Sequence, residues 1–525
     1  MSRPGEEDAG PEPVVPAQGG RAERPWPPRA LELPGPPQPV PPWGPVPPHG
    51  TTPSPAPTPV PPAGTPRGSV PAPPAAPSAP APYGSVPAEP RPDFDHRDPS
   101  AYYRALRERY GPVAPVLLHQ QVPAWLVLGY HEVHRVAGHP ELFSRDPRHW
   151  HSWDRVPPDW PLLADVAPTP SVRFTEGAEH RRRAGAIADV LAAVDPFELR
   201  RRAEQAADAA VDRFARAGRA ELMAEYAEPV PLQVMAGLLG LGEHEAAGLA
   251  RGTAVGPQQR TSRPPDDAYV PDPDTGGHRS GGRGGRARPL EADAAAARVR
   301  GAVQALVARS RQARERSGTA RPAPGADLTT LLLAHPADLT DEEIVHDLLT
   351  LLAAGRRPTA DWIGNTLRLM LTDERFALSL SGGRRSAGQA LTEVLWTEPP
   401  TQNIIGRWAV RDTELGGQRI ARGDCLVLSL AAANADPRVA PAVGGTGARF
   451  PGTLGNQAHL AFSHGPHRCP EPAAALAGVI ATAAVEVLLD RLPDLALPPG
   501  AAEPRWRPSL WQRGPAALPV VFTPV

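Results

Sequence analysis

A single helical pattern runs through residues 340–372, read from Leu339 onward as LTDEEIVHDLLTLLAAGRRPTADWIGNTLRLMLT. Thr340 and Glu343 form a capping-box pair at its start. About 32 helical residues span roughly 48 Å, enough to cross a whole domain. Halfway along lies AAGRRPT. Pro358 has no N–H, so the carbonyl of Ala354 loses its i+4 partner. Gly355 loosens the same turn and Thr359 adds a hydroxyl. Two readings fit: a kinked core helix, or a widened turn where water or another small ligand meets a free carbonyl and a hydroxyl.

Around this helix the rest of the chain sorts into parts. Of 72 prolines, 31 fall in the first 90 residues. PVPPWGPVPPHGTTPSPAPTPVPPAG cannot bury a core, so residues 1–92 are expected to be a disordered or polyproline-II-like tail, a solvated spacer or a docking segment. From DFDHRDPSAYYRALRERYGPV onward, helix signals alternate with short loops. The spacing predicts helices near 179–195, 198–216, 219–240, 288–316, 340–372, 386–397 and 472–491, with PAWLVLG and GDCLVLSLAAA as brief strands. A low-complexity loop, 252–289, interrupts two helices. No second linker separates independent cores, so residues 93–525 are expected to form one mainly α domain of about 430 residues with small β-sheets.

Composition excludes several classes of function. The 55 basic and 57 acidic side chains give no footprint for nucleic acid. Two cysteines, Cys425 and Cys469, exclude a disulfide framework and fit a reducing compartment. MSRPGEEDAG lacks the pattern of a secretory signal, and no apolar run approaches the ~18 residues of a membrane span. A cytoplasmic protein with no membrane contact is the expectation.

Cys469 stands in HLAFSHGPHRCPEPAAALA, just before an Ala-rich helix whose first turn holds Pro472. Helix-end amides, Arg468 and His467 there favour thiolate over thiol. Three readings compete: a small buried hydrophobe, a zinc cluster with His464 and His467, or a thiolate ligand to iron. Zinc lacks a fourth ligand at sensible spacing, since Cys425 is 44 residues upstream in a probable strand.

Phe462, Gly465 and Cys469 reproduce the F-x-x-G-x-x-x-C core of the haem-binding loop of cytochromes P-450, and His467 matches many bacterial members. The chain resembles that family over roughly residues 93–525. The resemblance implies the cytochrome P-450 fold, haem b ligated by Cys469, and an O2-dependent monooxygenase acting on a small or medium apolar substrate. Electrons would come from ferredoxin and ferredoxin reductase, with Arg468 helping to dock an acidic carrier. TLLAAGRRPTA is similar to the distal helix, which puts Ala354 and Gly355 beside the cofactor and matches Thr359 to the oxygen-activating threonine. His180 in GAEHRRR and Arg407 in GRWAV match propionate partners. The pocket would be lined in part by PPTQN and by RHWHSWDRVPPDWPL, with Trp150, Trp153 and Trp160.

Four departures from the family stand out. The helix that normally carries E-x-x-R has Glu393 and Trp396, as in a bacterial subgroup that keeps the fold with tryptophan there; either Glu393 is protonated, or Arg438 or Arg449 reaches it, or Trp396 repacks the site. Arg357, two before Thr359, replaces the distal acid, and a guanidinium cannot relay protons. Glu471 takes a small residue's place near the thiolate. Ala184 replaces an arginine, with Arg183 about 100° round the helix. Haem binding with slow or poorly coupled turnover is therefore expected. The alternative is a non-catalytic or weakly active haem-binding regulatory or interaction protein that docks through its Pro-rich tail.

Overall fold

The computed structural model describes residues 99–157, 160, 162–242, 245–246, 287–318, 321–381, 386–439 and 456–525. The expected tail 1–92, the low-complexity loop up to residue 286 and Arg449 lie outside the described residues. In chain order the helices are α1 (Pro99–Tyr110), α2 (Tyr130–Gly138), α3 (Leu163–Val166), α4 (Gly177–Ala192), α5 (Pro196–Asp212), α6 (Pro229–Leu239) and α7 (Ala287–Ser317). They continue with α8 (Leu328–Leu333), α9 (Asp341–Thr372), α10 (Glu374–Ser381), α11 (Ala387–Thr397), α12 (Leu430–Asn434) and α13 (Glu471–Arg491).

The strands are β1 (Val113–Leu118), β2 (Val122–Val127), β3 (Phe143–Ser144), β4 (Arg219–Glu221), β5 (Asn403–Ala409), β6 (Thr413–Leu415), β7 (Gln418–Ile420), β8 (Cys425–Ser429) and β9 (Pro519–Val521). Five of them form one sheet in the order β1-β2-β8-β5-β3. β2 runs parallel to β8, while β5 runs antiparallel to β8 with a register shift between Ile405 and Arg407. Gly406, at φ +98°, occupies that shift. A bulge re-aims the residue that follows it, here Arg407.

The expected long helix is present, capping box included, and Pro358 sits inside it without interrupting it. α9 packs against α6, α7 and α13, and α13 packs along α5. Two glycine notches bring α9 close to the α6 segment: a Cβ at Gly355 would lie 2.7 Å from Met235, and one at Gly364 would lie 2.4 Å from Met223. α13 is long and apolar enough to cross a membrane by composition, an exception to the expectation from sequence. Its apolarity reflects burial: Ile480, Ala481, Ala484, Val485 and Leu488 lie in the main core cluster.

One predicted element changes type. Residues 219–240 do not begin as helix: Arg219–Glu221 pair antiparallel with β9, and a π-turn over Met223–Ala227 precedes α6. The partner strand lies some 300 residues downstream, so this tertiary pairing overrides the local helical pattern.

Candidate functional site

The Cys469 loop is held from three sides. Gly465, at φ +74°, turns it against α2, where a Cβ would come within 2.1 Å of the Ala137 carbonyl oxygen. Only glycine fits there. Within the loop, the Cys469 amide donates to the Phe462 carbonyl at 3.0 Å, and the Arg468 amide to the Gly465 carbonyl at 3.0 Å. From α4, the His180 ring meets the Pro466 carbonyl through Nε2 at 3.0 Å and lies 3.9 Å from the His467 ring. From α9, the Trp362 ring sits edge-on to Phe462 at 6.0 Å.

These contacts bracket a cleft. α4 also grips α9, since Arg183 donates to Asp347 at 2.6 Å and 3.0 Å. Asp347, through α4, and Trp362 directly tie α9 to the loop at points roughly 22 Å apart at 1.5 Å per residue. Midway between them Ala353 and Ala354 are exposed, although every residue from Thr359 to Leu369 is buried. Cys469 is half-buried.

One side of the cleft carries excess positive charge. Arg407 is 3% exposed, yet its Nε and Nη1 have no hydrogen-bond partner. Burial pushes its pKa down to about 10. Arg145, also buried, donates from Nη1 to the Ile405 and Gly406 carbonyls at 2.9 Å and so props up the bulge that aims Arg407. Burial pushes His467 down to about 2, with Arg407, His180 and Arg145 adding repulsion. Two orphaned guanidinium nitrogens, a neutral histidine and a wall of alanines suit a flat apolar group bearing carboxylates. The residues present fit haem: Cys469 for iron, Arg407, His180 and His467 at the propionate side, Phe462 and Ala354 at the faces.

Several expectations are revised. Burial pushes the Cys469 thiol up to about 11, with Arg468 lowering it only in part. The helix end therefore does not by itself produce a thiolate; a bound metal ion would. Glu471 is 84% exposed and pairs with Arg468 at 3.3 Å, so its charge is offset in solvent rather than turned on the sulfur. Arg183 is 1% exposed and committed to Asp347, and does not stand in for the arginine absent at Ala184. His464 stacks on His134 at 3.5 Å while His467 lies on His180, so the histidines of the zinc reading diverge.

The distal helix also reads differently. Thr350, Ala353, Ala354, Arg357, Pro358 and Asp361 follow one helical face, whereas Leu352, Gly355, Thr359 and Ile363 follow another. Gly355 meets Met235 of α6 and Thr359 is 3% exposed, which places both on the α6 side rather than toward the cleft. One residue of helix is about 100° of rotation, and Pro358 holds the position facing the cleft. Arg357 bonds Glu228, just ahead of α6, at 2.5 Å.

At the E-x-x-R position, Trp396 repacks the site. It is 5% exposed, donates from Nε1 to the Asn456 carbonyl at 2.9 Å, and lies edge-on to His459 at 6.0 Å. His459 in turn touches Phe462 at 6.0 Å. Arg438 is taken by Asp436 and Glu132. Trp150 and Trp160, in a loop whose tryptophans could touch substrate but more readily serve packing, are 3% exposed and packed with Trp408 and Trp511. Sequence reasoning missed Arg145, Glu228, Asp361, Trp362, His459 and Arg507. Only the bulge glycine beside Arg407 offered a local signal for any of them.

No family model matches the chain. It is 29% identical over 430 residues to cytochrome P450 monooxygenase PikC of Streptomyces venezuelae, covering 81% of this chain and 91% of that one. It is 27% identical to the vitamin D(3) 25-hydroxylase of Pseudonocardia autotrophica, covering 82% and 94%. Among solved structures, CYP154C4 from Streptomyces sp. ATCC 11861 superposes with a TM-score of 0.66 at 27% identity, covering 82% and 96%. CYP154A1 from Streptomyces coelicolor A3(2) gives 0.63 at 29%, covering 80% and 97%. Likeness across nearly the whole of each relative makes the chain similar to the bacterial cytochrome P450 monooxygenases, whose cofactor is haem b.

Proposed function

We propose that the chain binds haem b through Cys469 and oxidises a small or medium apolar organic molecule, with electrons from a ferredoxin and its reductase. The observation that carries this is the pairing of the Cys469 loop with the two orphaned nitrogens of buried Arg407. Haem bound there supplies oxygen activation, with the sulfur donating electron density to iron. The protein's share is positioning and exclusion of water. Arg407 would offset the charge of the propionates, with neutral His467 and His180 beside it, while the small side chains of Ala353 and Ala354 would leave room on α9. Gln402, 3% exposed with an unpartnered Oε1, is the polar group in the PPTQN segment available to orient a substrate. Trp511 and Trp150 close the apolar core behind it.

A second reading, a haem protein with little turnover, draws support from one observation. The cleft face of α9 presents Arg357 and Pro358, and Arg357 is neutralised by Glu228. Spectra of the purified protein and of Cys469→Ser test the primary reading. The parent is expected to show sulfur-ligated iron in its reduced carbon monoxide complex, and the serine variant to lose it. Identical visible spectra from the two proteins refute the assignment. Product formed in step with electrons consumed then separates the oxygenase from the low-turnover reading.

A further inference from the structure

Away from the cleft, the last turns of α7 and the segment leading into α8 enclose a second cavity, of about 580 Å³. Four guanidinium groups line it, those of Arg309, Arg314, Arg316 and Arg321, against one carboxylate, that of Asp327. On α7 the lining positions from 309 to 317 fall within one arc of the helix, and Arg311 and Glu315 lie outside it. Arg309 and Arg316 stand two turns apart along that arc, about 10 Å at 1.5 Å per residue. The acid is committed elsewhere. Asp327 caps α8, accepting at Oδ1 from the Thr330 amide at 2.8 Å and at Oδ2 from its hydroxyl at 3.1 Å. Arg309 is also occupied, bonded through both terminal nitrogens to Glu245 at 2.8 Å. Arg314 and Arg316 have no ion-pair partner among the described residues. Arg314 donates from Nη1 to the Leu333 carbonyl, and Arg316 from Nε to the Gln312 carbonyl at 3.2 Å, which leaves guanidinium donors on both for a ligand.

We propose that this cavity binds a small molecule carrying linked phosphate groups, with Arg314 and Arg316 as its main contacts and Arg321 at the rim. A planar guanidinium pairs bidentately with phosphate oxygens. One such pair satisfies a lone carboxylate, whereas cations spread over two helical turns match a chain of phosphates. The end of α7 opposes an anion with only about half a negative charge, which the arginines outweigh. Arg316 and Arg321 are exposed, so an anion reaches the cavity from solvent without disturbing the core. None of the lining residues belongs to the Cys469 loop, to α9 or to the strand of Arg407, so this site is separate from the haem cleft and does not depend on the oxygenase reading.

Calorimetric titration of the full-length holoprotein with inorganic pyrophosphate, at low ionic strength and without divalent metal, tests this. One saturable site is expected, weakened by added salt and not competed by acetate at the same concentration. Arg314→Gln/Arg316→Gln is expected to weaken binding by about tenfold or more through lost charge-assisted contacts. Arg316→Gln alone guards against a double variant that does not fold, because Arg316 is exposed and bonded only within its own helix; a loss of about threefold or more is expected. Arg311→Gln removes a cation outside the arc and is expected to change affinity by less than about twofold. Absence of saturable binding at millimolar pyrophosphate overturns the proposal, as does unchanged affinity in Arg316→Gln. Equal competition by acetate, or a loss in Arg311→Gln as large as in Arg316→Gln, overturns it too, since either means general charge attraction. Release of haem by pyrophosphate places the anion at Arg407 instead and likewise overturns it.

Discussion

Trp396 replaces the arginine of the E-x-x-R motif, and its contacts say what it does there. The indole N–H ties α11 to the Asn456 carbonyl at 2.9 Å, three residues before His459 enters the cysteine loop. Its ring continues a chain of aromatic contacts through His459 and Phe462 to Trp362, which is anchored by its own N–H to the Leu391 carbonyl of α11 at 2.9 Å. The loop is clamped between α9 and α11 by rings and hydrogen bonds. Trp396→Phe removes one hydrogen bond, worth about 1 kcal/mol. Asn456 is exposed, so its carbonyl finds water and adds little. The smaller ring leaves a void of about 35 Å³, roughly 1 kcal/mol at ~24 cal/mol per Å³. A loss of about 2 kcal/mol in denaturant unfolding is expected, with a modest fall in the sulfur-ligated fraction of the reduced carbon monoxide complex. Trp396→Arg recreates the family motif beside Glu393, yet it is expected to be the worse variant. A guanidinium does not fill the edge contact to His459, and placing it at a 5% exposed position costs several kcal/mol before any pairing. Trp396→Arg protein as stable as the parent, with equal or greater sulfur ligation, refutes the bracing role.

Two further outcomes follow from the site. Arg407→Gln is expected to weaken haem retention by about tenfold or more through the loss of a charge-assisted contact, measured by transfer to an apo-globin acceptor, while the haem-free protein becomes no less stable because two buried orphan nitrogens are removed. Asp361 has a folded pKa raised to about 6, so its favourable contribution is complete below about 4 and lost as pH rises through 6; relative to Asp361→Asn, the parent should lose roughly 3 kcal/mol between pH 4 and 7, and parallel stability curves would refute this.

The cysteine loop was legible in the sequence because its chemistry is contiguous. Glycine is required where the turn meets the Ala137 carbonyl, cysteine sits before a proline-started helix, and histidine lies two residues earlier, all within eleven residues. The long helix was legible from its capping box and apolar rows. What escaped was set by partners distant in sequence. Arg183 is taken by Asp347, 164 residues away; Arg145 is taken by the bulge at Gly406, 261 away; and β4 exists because β9 reaches it. The state of the Cys469 sulfur escaped for a different reason. Helix-end and arginine effects can be read locally, but the burial that outweighs them is a property of the closed fold.

The distal helix shows how small the margin is between a role and its absence. Reading Thr359 as the hydroxyl beside oxygen, and Arg357 as the lost acid, fixes the right turn of helix but misplaces the hydroxyl by one residue, and 100° carries Thr359 into the α6 side with Gly355. The consequence is chemical. With Pro358 on the cleft face, no hydroxyl is offered at that turn, and the charge pattern runs in reverse: a cation at 357 held by Glu228, and a buried anion four residues on held by Arg507. Each ion pair spans α9 and a different neighbour, so neither could be paired correctly from α9's own sequence. Asp361 is a carboxyl that α9 carries on that face, fully buried. The four-residue step keeps it on the same helix face, and the price is its burial under Gly514 and its dependence on a C-terminal arginine.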